Sequence, residues 1–129
     1  VVATEDNTEL VIDASVDVAD GTGGVPYTIN MNEGDAYTIS ATNNDLTATT
    51  VSSNNPIACF TGTNQGLVDG CGASSHLWEQ QLPNNLWGNI YGFVPFAEKQ
   101  GDVLRFIAIE DNTELHSKIH HRHCKVPLI

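Results

Sequence analysis

Serine, histidine and carboxylate side chains stand close together shortly before residue 80. Ser75 is followed directly by His76, Glu79 comes three residues later, and Asp69 lies upstream. A histidine near a carboxylate can act in general acid/base catalysis or activate a serine hydroxyl. The chain has no Gly-x-Ser-x-Gly, His-Glu-x-x-His or phosphate-loop sequence. The group therefore has two interpretations, a structural pair on a helical turn or the centre of a small metal-assisted hydrolase of esters, lactones or phosphoesters.

A second candidate site lies in the last fourteen residues, which differ sharply in charge from the rest of the chain. All sixteen acidic residues fall at or before Glu114, so residues 1–115 carry 2 − 16 = −14 and the remainder carries +3. Imidazole and thiolate ligands suit zinc, copper or nickel, although the spacing matches no closed zinc site. The alternatives are a basic arm that folds onto the acidic body, and a tail from a truncated or shifted reading frame or an expression tag. The candidate ligands are His116, His120, His121, His123 and Cys124.

Aromatic residues are concentrated after residue 77, beside a glycine-rich loop. Trp78, Trp87 and Tyr91 are the predicted ligand-binding residues, because tryptophan and tyrosine contribute a large contact area at low entropic cost. The other interpretation is core packing, since Tyr91 and Phe93 would share one face of a strand. Trp78, next to the loop, is the better surface candidate.

Calcium is a further candidate cofactor. The loops ADGTGG, TNND and EDN offer carboxylate and amide oxygens, which Ca²⁺ prefers, but none has the EF-hand spacing. Together with the histidine-rich tail, these loops leave Ca²⁺ or Zn²⁺ as the metals to consider.

Length and charge restrict the classes of protein to which the chain can belong. At 129 residues the chain is large enough for one hydrophobic core. A formal net charge of −11 argues against binding to nucleic acid or to an anionic membrane surface. No segment approaches the ~20 consecutive apolar residues of a membrane helix, and an export signal would have to lie upstream of Val1. We expect an acidic protein that does not insert into a membrane.

The elements that would position these side chains are predicted to be almost entirely β-strands. Eight segments are rich in β-branched and aromatic residues, and ADGTGG, NEGD, TNND, SNNP and KQGD supply turns between them. This spacing is typical of an antiparallel β-sandwich, either Ig-like or jelly-roll-like. Only HLWEQQL, residues 76–82, is a candidate for a turn or two of helix. The predicted strands are VVAT, ELVIDASVDV, VPYTINMN, DAYTISAT, TATTVSS, PIACFTG, NIYGFVPFA and DVLRFIAIED.

One hexapeptide, EDNTEL, occurs twice, at residues 5–10 and 110–115, which we call the first and second copies. An apolar run precedes each copy, VVAT before the first and FIAI before the second. Asp-Asn is a turn-forming pair that tolerates left-handed backbone, so each copy is predicted to be a hairpin connection. The repeat indicates one module, residues 1–109, followed at residues 110–129 by the start of a second repeat and the basic tail.

The order of short phrases along the chain resembles the IgGFc-binding protein N-terminal domain family. The resemblance rests on Pro-Ile-Ala-x-x-Thr-Gly at 56–62, Cys71, Glu-Gln-Gln-Leu-Pro at 79–83, Trp87-Gly88 and Asp-Asn-Thr at 111–113. It covers essentially residues 1–115 and implies tandem β modules of about this length, so that EDNTEL marks the start of each. It also implies an extracellular protein and assigns no catalytic residue.

The cysteines depart from the family pattern. The family often pairs a cysteine soon after the Ser/Thr-Gly with one before Glu-Gln-Leu-Pro, whereas here the available residue is Cys59, inside a predicted strand. Cys59 and Cys71 could close a short disulfide loop, or both could be buried thiols.

These observations predict a non-catalytic binding or adhesion module of a secreted or cell-surface protein. Its ligand would be a protein or a glycan. Because the second repeat stops early, its first strands lack a partner sheet, and they would either complete the first module's sheet or pair with another chain, which leaves a homodimer as an open alternative. The hydrolase remains the alternative from a different class, with His76 and Glu79 or the histidine-rich tail as its site.

Overall fold

A computed structural model describes residues 1–41, 44–67, 73–94 and 104–116. These residues form β-strands, one 3-10 helix at Asn84–Leu86 and no α-helix. The prediction of an all-β protein is therefore confirmed. The strands are β1 Val2–Ala3, β2 Thr8–Asp13, β3 Tyr27–Met31, β4 Thr50–Ser53, β5 Ile57–Ala58, β6 Phe60–Gly66 and β7 Ser75–Gln80.

The strands pair in three small sheets. β2 is the central strand of a three-stranded sheet in the order β3-β2-β4, with Leu10 opposite Ile29 on one side and Ser53 on the other. β1 pairs with β5, and β6 pairs with β7. The registers of the β1–β5, β2–β3 and β2–β4 pairs are all antiparallel, as predicted.

The chain divides into two compact units. Unit 1 comprises residues 1–61 and 79–81, and unit 2 comprises residues 62–78 and 82–129. The predicted boundary between residues 109 and 110 is a different kind of division, between sequence repeats, and it stays a prediction.

The hydrophobic core belongs to unit 1 and lies between its two sheets. Ala3 of β1 faces Leu10 and Ile12 of β2, and Met31 closes the cluster, each of them less than 5% exposed. The alternation of buried and exposed residues along β2 follows the period-two geometry of a strand with one face on a core. This arrangement of two facing antiparallel sheets is that of a β-sandwich.

The first copy of EDNTEL forms a turn that passes from one sheet to the other. β1 before the turn pairs with β5, whereas β2 after it pairs with β3 and β4. The prediction of a hairpin connection is therefore wrong, because the two strands that flank the turn belong to different sheets. Asn7 has a φ of 56°, and the Thr8 hydroxyl donates a hydrogen bond of 2.7 Å to the Glu5 carbonyl.

The second copy has the same local conformation. Asn112 has a φ of 59°, and the Thr113 hydroxyl donates to the Glu110 carbonyl at 2.7 Å. Asparagine is one of the few residues that adopts left-handed backbone readily, and a threonine hydroxyl bonded three residues back stabilises such a turn. The six letters therefore encode the turn by themselves, in two different surroundings.

Several predicted strands are not strands in the described residues. The described parts of NIYGFVPFA and DVLRFIAIED, residues 89–94 and 104–111, have no strand partner. DAYTISAT contributes only an isolated bridge from Ala36 to Val2. HLWEQQL was expected to hold a helical turn, but its first five residues lie in β7. Strand formation depends on a neighbouring strand as well as on residue type.

Candidate functional site

The candidate site lies on the two-stranded sheet of β6 and β7. Alternate side chains of a strand point to the same side, so His76 and Trp78 share one face of β7. Their rings meet edge to face, with centroids 6.3 Å apart and planes at 83°. This is a favoured geometry for an aromatic pair, and it restricts the orientation of both rings.

A glycine on β6 makes room for the tryptophan. A Cβ added at Gly62 would lie 2.6 Å from Cε3 of Trp78 and 3.2 Å from its Cα. Gly62 is therefore the residue opposite Trp78, and the absence of a side chain lets the indole lie against the strand. Cross-strand pairing of an aromatic ring with a glycine is a known way to protect the glycine backbone.

The same register brings a polar side chain to the site. Two residues further along β6 and two residues back along β7, Asn64 comes opposite His76. Asn64, His76 and Trp78 line an open cavity of about 630 Å³. We call these three residues the Trp78 face. An indole surface flanked by an amide and an imidazole offers apolar contact together with hydrogen-bond donors and acceptors, the combination common in binding sites.

Of the three predicted ligand-binding residues, Trp78 is the one that lines the cavity. Its side chain is 66% exposed, although it lies in a pair of hydrogen-bonded strands. Asn64 and Gly62 were not predicted as site residues, because FTGTNQG and SHLWEQ were not identified as two strands that pair across the intervening glycine-rich loop. Recognising that hairpin would have placed all three residues of the face together.

The other two predicted ligand residues lie apart from this cavity. Trp87 follows the 3-10 helix, and its indole N–H donates to the Leu82 carbonyl at 3.2 Å. Tyr91 is 68% exposed and lies in a segment without regular secondary structure. Within the described residues, neither side chain lines the cavity. Their predicted role in binding stays a prediction.

The candidate catalytic residues are not assembled into a pair. His76 and Glu79 lie three positions apart on a strand, so their side chains point to opposite sides of the sheet. A helical turn would have placed them side by side, but this segment is not helical. Asp69, the third candidate, lies outside the described residues. The geometry of β7 gives no general acid/base pair from His76 and Glu79.

Of the four predicted metal-binding histidines, the structure describes only His116. Its Nε2 atom lies 3.3 Å from Oε2 of Glu114, and both side chains are more than 80% exposed. His120, His121, His123 and the neighbouring Cys124 lie outside the described residues. In the described part of the chain, no three histidine, cysteine or carboxylate side chains are grouped so that they could hold a metal ion. The zinc site stays a prediction.

Several carboxylates in the loops considered for calcium accept hydrogen bonds from their own surroundings. Asp45 accepts from the Thr47 amide at 2.9 Å, and Asp17, two positions before ADGTGG, accepts from the Gly23 amide of that loop at 2.8 Å. Asp20 accepts from the Tyr37 hydroxyl at 2.6 Å. The bond from the Thr47 amide to Asp45 is the ordinary means by which aspartate stabilises a turn, and the bond from Tyr37 to Asp20 joins distant parts of the chain. They give the acidic loops a structural role, and calcium binding stays a prediction.

The cysteine predicted to form a disulfide bond lies in unit 1. Cys59 stands between β5 and β6 and is half-buried. Its carbonyl accepts a hydrogen bond of 2.8 Å from the Gln81 amide, which extends the pairing of β6 with β7. Cys71 lies outside the described residues, so the Cys59–Cys71 bridge stays a prediction.

Comparison with known proteins identifies the family. The model of the family described as "IgGFc binding protein" matches residues 1–123. No curated protein and no solved structure matches the chain. In the described residues there is no helix with the length and hydrophobicity needed to cross a membrane. Membership of this family indicates a non-catalytic binding module whose ligand is a protein, in proteins that are typically extracellular. Since the match covers nearly the whole chain, the chain belongs to the IgGFc-binding protein family.

Proposed function

We propose that the chain is a binding and adhesion module of a secreted or cell-surface protein, and that it contacts its ligand through the Trp78 face. The observation that carries this proposal is the position of Trp78 on a paired strand, 66% exposed, with its ring oriented by His76. Exposed tryptophan side chains are enriched among the residues that dominate binding energy.

The Trp78 face suits a protein ligand. Its residues combine an extended aromatic surface with polar groups at the rim, and the cavity is open rather than enclosed. Protein interfaces are built from such a central aromatic residue with polar groups around it. The net charge of −11 adds a long-range preference for a ligand with a basic surface. A glycan could also stack on an indole, and the experiment below separates the two ligand classes.

The test is a binding measurement with the purified full chain. The Fc fragment of immunoglobulin G is the first protein probe, because the family is described by binding to it. An array of oligosaccharides is the parallel glycan probe. We expect saturable binding to the protein probe, and we expect Trp78→Ala to weaken it by at least about tenfold.

Leu82→Ala is the matched control, because Leu82 is 66% exposed, as Trp78 is, but does not line the cavity. Its affinity should stay within about twofold of the wild type. Binding to oligosaccharides that depends on Trp78 would replace the protein ligand with a glycan. Absence of binding to both probes, or equal effects of the two substitutions, would contradict the proposal.

A further inference from the structure

The two copies of EDNTEL have the same conformation but different surroundings. Side chains of neighbouring loops hold the first copy on several sides. Asn54 accepts from the Glu9 amide at 2.7 Å and donates to the Asn7 carbonyl at 3.1 Å, so that its amide group pairs with the backbone of the turn. Asn55 donates to the Asp6 carbonyl at 3.2 Å. We call Asn54 and Asn55, together with the loop at residues 32–35, the clasp.

The loop at residues 32–35 completes the clasp on the other side of the turn. The Glu33 amide donates to Oδ1 of Asp6 at 3.1 Å. The Ala3 amide donates to the Asp35 carbonyl, and the Gly34 amide donates to the Ala3 carbonyl, both at 3.0 Å. The clasp therefore binds backbone groups and one aspartate side chain. Any segment with the same turn and the same sequence can present these groups.

The second copy makes no comparable contacts within the described part of the chain. Its polar contacts in the described residues are the internal hydrogen bond from Thr113 to Glu110 and the exposed ion-pair contact between Glu114 and His116. Residues 105–116 are all exposed. The second copy is thus a preformed turn without a clasp around it.

Three residue types that are buried in unit 1, in or beside the first copy, occur again at the equivalent positions of the second copy. Adding 110 − 5 = 105 to each number relates Ala3 to Ala108, Thr8 to Thr113 and Leu10 to Leu115. In unit 1, Ala3, Thr8 and Leu10 are at most 1% exposed. In the second copy Leu115 is 47% exposed. Three residue types that suit a buried position are therefore present at positions that are exposed in this molecule.

We propose that residues 106–115 are a docking segment for a second copy of this chain, in which they occupy the clasp in place of that chain's residues 1–10. The turn is already formed, so binding costs little ordering of its backbone. The contact joins two different surfaces, so in a pair of chains one chain keeps a free clasp and the other keeps a free docking segment. Such a heterologous exchange leads to a linear series of chains rather than to a closed dimer.

The sequence match between the two copies ends shortly after the turn, which limits the affinity of the docking segment for the clasp. Ile12 is fully buried in β2, and the corresponding residue in the second copy is Ser117. Thr4 donates to the Pro56 carbonyl at 2.6 Å, whereas the corresponding Ile109 has no hydroxyl. The docked segment would therefore hold the turn and the start of the strand only. The exchange is weaker than the intrachain contact, and association depends on protein concentration.

The test is sedimentation velocity of the full chain in reducing buffer, over roughly 10 to 1,000 μM protein. We expect reversible association in the wild type. Asn112→Val should weaken it by about five- to tenfold, because a β-branched residue is strained at positive φ. Asn112→Gly is the matched control and should leave it within about twofold, since glycine adopts this φ freely. Position 112 lies outside unit 1, so both variants should keep the melting temperature of the wild type.

A second measurement locates the contact. An unlabelled peptide with the sequence FIAIEDNTEL, residues 106–115, is added to the isotope-labelled full chain after a long incubation. The amide signals of Asn32, Asn54 and Asn55 should change, and the peptide with valine in place of its asparagine should leave them unchanged. A chain that stays monomeric throughout overturns the proposal. Association that Asn112→Val does not weaken also overturns it, and assigns the contact to the exposed apolar residues of unit 2.

Discussion

Unit 1 and unit 2 differ in what they do with their apolar side chains. Among the described residues, all six buried side chains belong to unit 1, and every exposed large apolar side chain except Val25 belongs to unit 2. In unit 1 two sheets face each other, so the apolar side chains on the inner faces of its strands meet another layer. In unit 2 the described strands form part of one two-stranded sheet, and a single pair of strands has no second layer.

This difference indicates where stability and binding reside. Buried apolar area is the main source of folding free energy, so the stability of the described structure should come from unit 1. Large exposed apolar areas are characteristic of interaction surfaces. Trp78 belongs to the second class, and the core around Leu10 belongs to the first.

The largest expected effect tests this division directly. Ile12→Ala should lower the free energy of unfolding by about 2–4 kcal/mol, because the side chain is fully buried and its removal leaves a cavity. Ile90→Ala makes the same chemical change at a side chain that is 88% exposed, and its effect should stay within about 0.5 kcal/mol. Urea unfolding followed by circular dichroism measures both. Equal losses in the two variants would show that Ile90 packs as well as Ile12 does.

The two copies of EDNTEL provide a second comparison, in which sequence and conformation are constant and only the surroundings differ. Asn7→Val should destabilise unit 1 by about 1–2 kcal/mol, because valine is strained at the φ of 56° that the turn requires. Asn112→Val introduces the same strain in a turn that carries no part of the core, so the free energy of unfolding should be nearly unchanged. A loss in Asn112→Val equal to that in Asn7→Val would mean that the second turn is part of the cooperative fold.

The sequence predicted the strands well where a partner strand was available. VVAT, VPYTINMN and TATTVSS correspond to β1, β3 and β4, all of which pair within unit 1. NIYGFVPFA has equally favourable residue types, but residues 89–94 pair with no strand that the structure describes. Residue type and alternation are local properties, whereas pairing depends on distant parts of the chain. Predictions from local pattern alone therefore fail where tertiary contacts decide.

The candidate site was predictable in its central residue but not in its construction. Trp78 could be selected because a tryptophan next to a glycine-rich loop is a reasonable surface residue. The roles of Gly62 and Asn64 depend on the register of β6 against β7, which is defined by contacts such as the bond from Gln81 to Cys59. The separation of His76 from Glu79 follows from the same fact, since a strand rather than a helical turn carries them.

A smaller effect concerns the threonine hydroxyl of each turn rather than the backbone conformation of its asparagine. Thr8→Val keeps the shape of the side chain but removes the hydrogen bond to the Glu5 carbonyl, which would be left without that partner next to the core. We expect a loss of about 1 kcal/mol in the free energy of unfolding. Thr113→Val removes the same bond from the exposed second copy, where water replaces it, so the change should be within about 0.5 kcal/mol. A loss of equal size in both variants would mean that burial does not distinguish the two turns.

The smallest expected effect concerns alkaline pH and again distinguishes unit 1. Burial raises the pKa of Tyr37 above its ordinary value, and the hydrogen bond that its hydroxyl donates to Asp20 raises this pKa further. The folded chain therefore retains a proton that the unfolded chain loses near pH 10, so this contribution to stability is complete below about pH 10 and decreases as the pH rises above it. At pH 10.5 the loss should be under about 1 kcal/mol.

Unfolding in urea at pH 8.0 and pH 10.5 measures the slope of the free energy of unfolding against pH. Tyr37→Phe should reduce the slope, whereas Tyr91→Phe, at an exposed position in unit 2, is the control that should keep the wild-type slope. If Tyr37→Phe leaves the slope unchanged, the loss of stability at high pH does not come from this tyrosine, and the contrast between the two units would rest on apolar burial alone.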